Sequence, residues 1–145
     1  MVIFMQDNII EEIKHLIHKY VISIDKADIR LAADIWLDSP KTSFIHPKGH
    51  EHGFEEIKKN FYMKTMNDNF SERKLNIHDL SIYIYENAAI AEFYWNFKAK
   101  FRSDGNALET SGRETQVYCK DDQAQWKLVH VHYSGMPVAG EREGF

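Results

Sequence analysis

Apolar residues in the first third of the chain recur at the spacing of amphipathic helices. From Ile9 they follow one another at intervals of three and four positions as far as Ile24, which predicts a first helix. Asn8, with Glu11 three positions later, has the pattern of a capping box, so the helix is expected to begin there.

Two shorter helices and a short strand are predicted next. The second helix is expected to begin near Ala27 and to end at Ser39-Pro40, because the residue before a proline disfavours the helical conformation. Residues 42–45 have the pattern of a short strand, and residues 46–53 have that of a loop. The apolar residues that follow the loop predict the third helix.

The second half of the chain changes to a period of two, which is typical of strands. In residues 91–102 the odd positions are apolar and the even positions are largely polar, so this strand has one buried and one exposed face. A turn signal at residues 103–106 predicts that residues 108–120 return as a hairpin partner. Residues 73–85 and 126–134 complete four long antiparallel strands.

The order of these elements indicates the fold class. Helices grouped before a strand meander are typical of an α+β domain in which the helices cover one face of the sheet. No repeat or linker interrupts the chain, so residues 1–145 are expected to form a single domain. A curved sheet packed on helices can enclose an apolar cavity, the usual anatomy of a small-molecule site. The alternative is that the aromatic side chains simply fill the core.

Composition and charge exclude several classes of protein. The net charge is −4 and the chain has no basic block, which leaves nucleic acid little to bind. The single cysteine, Cys119, excludes an internal disulfide framework and a multi-cysteine zinc site. The N-terminus has no signal-peptide pattern, and no apolar stretch approaches the ~20 residues of a membrane span. We therefore expect a cytoplasmic protein with no membrane contact.

Several histidines are candidate metal ligands, but their spacing in the sequence supports a metal site only in part. His50 and His52, with Glu56, have ligand-like spacing, but they belong to a glycine-bracketed loop without a cysteine or a second carboxylate-rich segment. His130 and His132 are expected to form hydrogen bonds across the sheet or at a subunit interface. No metal site is predicted, and the absence of nucleotide- and phosphate-binding motifs predicts no cofactor.

Four segments resemble a known family. Residues 112–118 (GRETQVY) and 126–137 (WKLVHVHYSGMP) resemble the end of SnoaL-like domains and, equally, the association (hub) domain of calcium/calmodulin-dependent protein kinase II. Residues 44–49 (FIHPKG) and 53–57 (GFEEI) also match SnoaL-like proteins. The resemblance extends to the nuclear transport factor 2-like superfamily, which includes ketosteroid isomerases, polyketide cyclases, dehydratases and non-catalytic modules. It implies a cystatin-like cone, a curved antiparallel sheet wrapped over three N-terminal helices, forming a homodimer through the sheet.

The resemblance also implies roles for individual residues. Ketosteroid isomerases have an oxyanion-binding tyrosine on the first helix, eight residues before an acidic residue, and counting back from Asp28 gives Tyr20. Their general base directly precedes a proline, and here His46 precedes Pro47. A histidine suits that role because its unperturbed pKa of roughly 6.5 lies near neutrality. The position of their second buried acid is assigned to Gln116, which cannot serve as an acid.

These residues predict a protein that binds a small hydrophobic metabolite. If it is an enzyme, it is a cofactor-independent isomerase, cyclase or dehydratase in which His46 is the general base and Tyr20 the hydrogen-bond donor. Further residues are expected to line the pocket: Trp36, Phe44, Phe61, Phe93, Trp95, Gln116, Tyr118, Val131 and Tyr133. Whether Glu141–Phe145 closes the pocket is left open.

The alternative is a non-catalytic oligomerisation or ligand-sensing module. Hub domains carry arginines in their pocket, at positions that fall near Trp95, Gln116 and Tyr133 here, and none of these is basic. An anionic ligand is therefore disfavoured. Arg113 lies on the opposite face of its strand, where we expect it at the dimer interface, against Glu109 or Glu114 of a neighbouring copy.

Overall fold

The computed structural model describes residues 2–137, with side chains from Met5 onward. The helices lie in the N-terminal half: α1 (Val2–Lys26), α2 (Ile29–Ile35), α3 (Gly53–Glu56) and the π-helix Ile57–Asp68, which continues α3 without a break. Within the described residues, no helix has both the length and the apolar character that a membrane crossing requires.

The strands form one curved, unclosed sheet. They are β1 (Ser43–His46), β2 (Gly49–His52), β3 (Phe70–Ile84), β4 (Ala88–Phe101), β5 (Ala107–Lys120) and β6 (Trp126–Gly135). Their spatial order is β2-β1-β6-β5-β4-β3. Neighbours are antiparallel except β1 and β6, which run parallel, so the sheet is mixed and not purely antiparallel. The predicted α+β cone, with helices on one face of a curved sheet, is confirmed.

The first two helices begin at positions that differ from the predicted ones. Helix α1 runs from Val2, so Asn8 and Glu11 lie inside it, and the predicted capping box is wrong. A capping pattern is a local preference, and it sets no boundary where the preceding residues are helical as well. Helix α2 begins instead after a working cap, since the side chain of Asp28 accepts a hydrogen bond from the Leu31 amide at 3.0 Å.

The segment predicted as a loop at residues 46–53 contains an edge strand. Strand β2 pairs with β1 across the turn formed by Pro47 and Lys48. Its sequence, GHEH, has no apolar residue, so hydrophobic alternation could not reveal it. The side chain of Glu51 is buried, whereas His50 and His52 are exposed.

The inner face of the sheet packs against α1 and the π-helix and carries two adjacent cross-strand rows that position the site. The first row is Phe93–Glu114–Tyr133, and the second is Trp95–Gly112–Gly135. Two of the three positions in the second row are glycines, so most of that row carries no side chain. The Trp95 indole fills the place beside Gly112, whereas a Cβ at Gly135 would have no atom closer than 4.0 Å, so space remains over Gly135 between the sheet and the helices.

Candidate functional site

A cavity of about 290 Å³ lies between the helices and the inner face of the sheet. Its walls are mostly apolar and come from α1, the π-helix and strands β3 to β6. Its exposed rim includes Lys48 of the β1–β2 turn and Thr110 and Ser111 of β5, while Tyr20 and Glu114 lie at its buried end. An apolar cavity with a few convergent polar groups is the usual form of a small-molecule site.

Glu114 is the acidic group of this cavity. Its side chain is buried in the first cross-strand row, and Gln116 donates a hydrogen bond to it at 2.6 Å. Tyr118 in turn donates to the Gln116 carbonyl oxygen at 2.5 Å, so a chain of hydrogen bonds orients the carboxyl group. Burial raises the pKa of Glu114 to about 8, while Gln116 and the neighbouring Tyr20 hydroxyl act in the opposite direction. The carboxyl group is therefore largely protonated at neutral pH.

Tyr20 presents its side chain to the same cavity from α1. Burial, followed by the charge of Glu114, raises the pKa of Tyr20 well above its ordinary value. Its ring packs edge-on against Trp36, with 6.5 Å between ring centroids. The phenol therefore keeps its proton throughout the physiological range and can serve as a hydrogen-bond donor.

His46 is buried beside the cavity but does not line it. Its Nε2 lies 2.5 Å from the carboxylate of Glu51, and its Nδ1 accepts a hydrogen bond from the Lys48 amide at 3.3 Å. Asn60 of the π-helix donates to the other oxygen of Glu51 at 3.0 Å. Both ring nitrogens thus have protein partners, which fixes the tautomer with the proton on Nε2. We call His46, Glu51 and Asn60 the hairpin network.

The other predicted pocket residues divide into two groups. Phe61, Trp95 and Tyr133 line the cavity together with Tyr20. The remaining ones are buried in the core and do not line it: Trp36, Phe44, Phe93, Gln116, Tyr118 and Val131. Trp36 packs against Tyr20 and Phe44 packs against Phe61, while Gln116 acts on the site by holding Glu114.

Glu114 is a cavity residue, and a candidate functional one, that the sequence analysis did not predict. The prediction that it pairs with Arg113 of a neighbouring copy is wrong, because its side chain is 5% exposed and faces the interior. Strand alternation carried the signal, since Glu114 is two positions before Gln116 and therefore shares its face. Ionisable residues are mostly exposed, so the alternation pattern by itself does not single out a buried glutamate.

Exposed histidines lie on β2 but form no metal centre with their neighbours. The rings of His50 and His52 are 4.2 Å apart between centroids. Among the described residues, no group of three or more His, Cys, Asp or Glu side chains is arranged to hold a metal ion. His130 of β6 is hydrogen-bonded to Ser43 at 2.8 Å across the strand pair.

Comparisons with known proteins agree with this architecture. A family model described as a SnoaL-like domain matches residues 13–139. The structure of a nuclear transport factor 2 (NTF2-like) superfamily protein from Salmonella enterica is similar, with 45% sequence identity and a TM-score of 0.93. That match covers 97% of this chain and 99% of the other. Among curated proteins no match is found.

Two more distant structures show the fold alone. A type 2 hexachlorocyclohexane dehydrochlorinase is 16% identical, with a TM-score of 0.79, over 96% of this chain and 95% of that chain. A candidate calcium/calmodulin-dependent protein kinase II association domain from Xanthomonas campestris is 18% identical, with a TM-score of 0.72, over 88% of each chain. The same fold therefore serves both chemistry and assembly, and function has to be argued from the site.

Proposed function

Because the chain belongs to the SnoaL-like domain family, we propose that its cavity binds a small, neutral, mostly apolar carbonyl compound and exchanges protons with it. Tyr20 donates a hydrogen bond to the carbonyl oxygen, and Glu114 takes a proton from the adjacent carbon and returns it. The observation that carries this proposal is the buried carboxyl group of Glu114 beside the Tyr20 phenol in one apolar cavity.

The chemistry of Glu114 suits a group that must both accept and donate a proton. A general acid–base group works best when its pKa lies near the working pH, and that of Glu114 is raised to about 8. Tyr20 complements it, because a preorganised donor in a desolvated site stabilises the negative charge that develops on a carbonyl oxygen. Isomerisation, cyclisation and dehydration next to a carbonyl all use this pair of functions.

The walls of the cavity support a neutral ligand. The protonated carboxyl group leaves the buried end of the cavity uncharged at neutral pH, and the aromatic and aliphatic walls provide no compensation for a buried charge. A metabolite with an apolar body and one carbonyl group fits such a cavity, because it is uncharged and mostly apolar.

The prediction that His46 is the general base stays a prediction. To reach the cavity, its ring has to give up the hydrogen bond from Lys48 and turn away from Glu51. Glu114 lies in the cavity without any such rearrangement. We therefore assign the proton exchange to Glu114 and treat His46 as a positioning residue that holds the β1–β2 turn.

The homodimer through the sheet also stays a proposal, and the outer face of the sheet offers a place for it. Arg113 lies there in a surface depression with Asp79, Glu92 and Tyr94. In a two-fold pair, Arg113 of one copy faces these carboxylates of the other. Sedimentation equilibrium of wild type and of Arg113→Glu tests the proposed dimer. A monomeric wild type would contradict it.

The test of the proposed function uses 1-decalone, a neutral bicyclic ketone, in heavy water. Calorimetry measures its binding, and NMR follows the exchange of its α-protons for deuterium. We expect wild type to bind 1-decalone and to accelerate the exchange of its α-protons. In Glu114→Gln the accelerated exchange rate should be lower by about 100-fold or more. Glu109→Gln, which changes an exposed carboxylate of the same strand, is the matched control and should leave the rate unchanged.

The outcome of the 1-decalone test distinguishes an enzyme from a binding module. Binding without accelerated exchange contradicts the catalytic part and favours the ligand-sensing alternative. Absence of binding by 1-decalone and by a panel of similar neutral ketones contradicts the whole proposal.

A further inference from the structure

The exposed end of the cavity carries a single positive charge. Of the described residues that line the cavity, Lys48 supplies the basic side chain and Glu114 the acidic one, and the two lie at opposite ends. Lys48 is exposed at the rim, whereas Glu114 is buried. Among the ion pairs in the described part of the chain none includes Lys48, while Lys58 pairs with Glu55 at 2.8 Å. The ammonium group of Lys48 is therefore available to a ligand that reaches the rim.

The turn that carries Lys48 is held in place from behind by the hairpin network. Its backbone amide donates a hydrogen bond to Nδ1 of His46 at 3.3 Å, and the same histidine is paired with Glu51. On the other side of Lys48, a Cβ at Gly49 would lie 2.8 Å from Oε2 of Glu51, so the backbone of the turn rests against that carboxylate. The preceding residue, Pro47, has a fixed φ angle. The Lys48 side chain therefore starts from a defined point at the rim.

Conditions at the rim favour a carboxylate on the ligand. Inside the cavity a charge would lose its hydration without compensation, but a group at the exposed rim keeps water on one side. The hydroxyl groups of Thr110 and Ser111 lie on the same rim and are exposed as well, so they add hydrogen-bond donors. One ammonium group balances one negative charge, which matches a carboxylate better than a phosphate monoester with a charge of about −1.5 to −2 near neutral pH.

We propose that Lys48 is a specificity-determining residue that pairs with a carboxylate at the outer end of the ligand. This inference rests on the proposed function and deepens it. The carbonyl-bearing body of the ligand is neutral and lies in the cavity beside Tyr20 and Glu114, whereas the carboxylate stays in water at the rim. The ligand class is then a keto acid whose two oxygen-bearing groups lie at opposite ends of an apolar body. The hairpin network contributes to ligand selection, because it positions the turn that carries Lys48.

The test compares two ligands of the same shape that differ in charge. The anion 4-(4-oxocyclohexyl)benzoate and its amide, 4-(4-oxocyclohexyl)benzamide, both carry a ketone at one end of an apolar body. Calorimetry at pH 7 and low salt measures their affinities. We expect wild type to bind the benzoate about 5-fold more tightly than the benzamide, which is the upper range for an exposed ion pair. The preference should disappear at about 1 M salt, where exposed charges are screened.

Three lysine variants assign the preference to one side chain. Lys48→Gln should bring the affinities for the two ligands within about 2-fold of each other, and Lys48→Arg should keep the preference because it keeps the positive charge. Lys41→Gln is the matched control, since Lys41 is an exposed lysine shortly before β1 that does not line the cavity. It should retain the full preference for the benzoate.

The results distinguish failure of this inference from failure of the proposed function. Equal affinities of wild type for the two ligands, or a preference that persists in Lys48→Gln, overturns the role of Lys48 while the proposed function stands. Binding of 1-decalone without binding of either longer ligand overturns it as well, because the cavity then does not admit a ligand that extends to the rim. If none of the three ketones binds wild type, the proposed function itself fails.

Discussion

Two buried glutamates of this molecule have opposite surroundings. Glu51 has donors on both carboxylate oxygens, from His46 at 2.5 Å and from Asn60 at 3.0 Å, and it lies behind the β1–β2 turn. Glu114 is buried to a similar degree, but its side chain borders an apolar cavity, with Gln116 as its donor at 2.6 Å. The first carboxyl group is held between protein donors, whereas the second faces space that a ligand can fill.

The difference shows how one residue type can serve two purposes. A carboxylate whose oxygens are both hydrogen-bonded, one of them to a histidine, is held in one place and connects the elements that supply its partners. A carboxyl group with fewer donors and apolar walls has its ionised form penalised, so its proton becomes available near neutrality. The hairpin network therefore has the surroundings of a structural element, whereas Glu114 has those that the proposed proton exchange requires.

The largest expected effect concerns the stability of Glu114→Gln as a function of pH. Because burial raises the pKa of Glu114 from 4.5 to about 8 in the folded state, the contribution of this group to the stability of wild type falls as pH rises between these two values and is constant outside them. One pKa unit corresponds to about 1.36 kcal/mol. The free energy of unfolding of Glu114→Gln should therefore rise relative to that of wild type by up to roughly 5 kcal/mol across this pH range. Urea unfolding at pH 4.5 and pH 9 measures the gain.

Glu109→Gln is the control for this pH series, because it removes an exposed carboxylate from the same strand. It should change the free energy of unfolding by less than about 0.5 kcal/mol at either pH. A difference between Glu114→Gln and wild type that is the same at both pH values would show that the buried carboxyl group does not titrate as described.

The second-largest expected effect is a loss of stability, and it concerns the hairpin network. Glu51→Ala leaves the buried His46 and the half-buried Asn60 without their shared acceptor, so we expect the free energy of unfolding to fall by about 3 kcal/mol. Glu55→Ala removes an exposed carboxylate that pairs with Lys58 at 2.8 Å, and it should change the free energy of unfolding far less than Glu51→Ala does. Similar losses in the two variants, measured by chemical denaturation at pH 7, would argue against a structural role for the hairpin network.

The same two regions show what sequence patterns can and cannot predict. Long segments of regular period predicted α1, the four long strands and the position of Tyr20, because burial of one face is a property of the whole element. Strand β2 could not be predicted from its own sequence, because its pairing depends on β1. Glu51 faces inward, where Asn60, nine residues further along the chain, donates a hydrogen bond to it. The burial of Glu114 depends on a cavity that only the folded sheet creates.

The third effect is the pH profile of catalysis. If the ionised form of Glu114 removes the α-proton of 1-decalone, the exchange rate should rise roughly tenfold per pH unit below 8 and become level above about 8. Tyr20→Phe should lower the plateau by about 10- to 100-fold and move the inflection to higher pH, because the Tyr20 hydroxyl lowers the pKa of Glu114. A plateau that begins well below pH 8 would indicate a different base.

The smallest expected effect decides between the two candidate bases. His46→Gln keeps a donor for Glu51 at the position of Nε2, so the hairpin network and the β1–β2 turn should survive. We expect its rate of 1-decalone exchange to fall by less than about 3-fold, measured under conditions where circular dichroism shows the variant folded. General-base catalysis contributes typically about 100-fold or more, so a loss of that size would transfer the role from Glu114 to His46. The hairpin network would then be a reactive site whose histidine turns toward the ligand, and the contrast between the two glutamates would no longer hold.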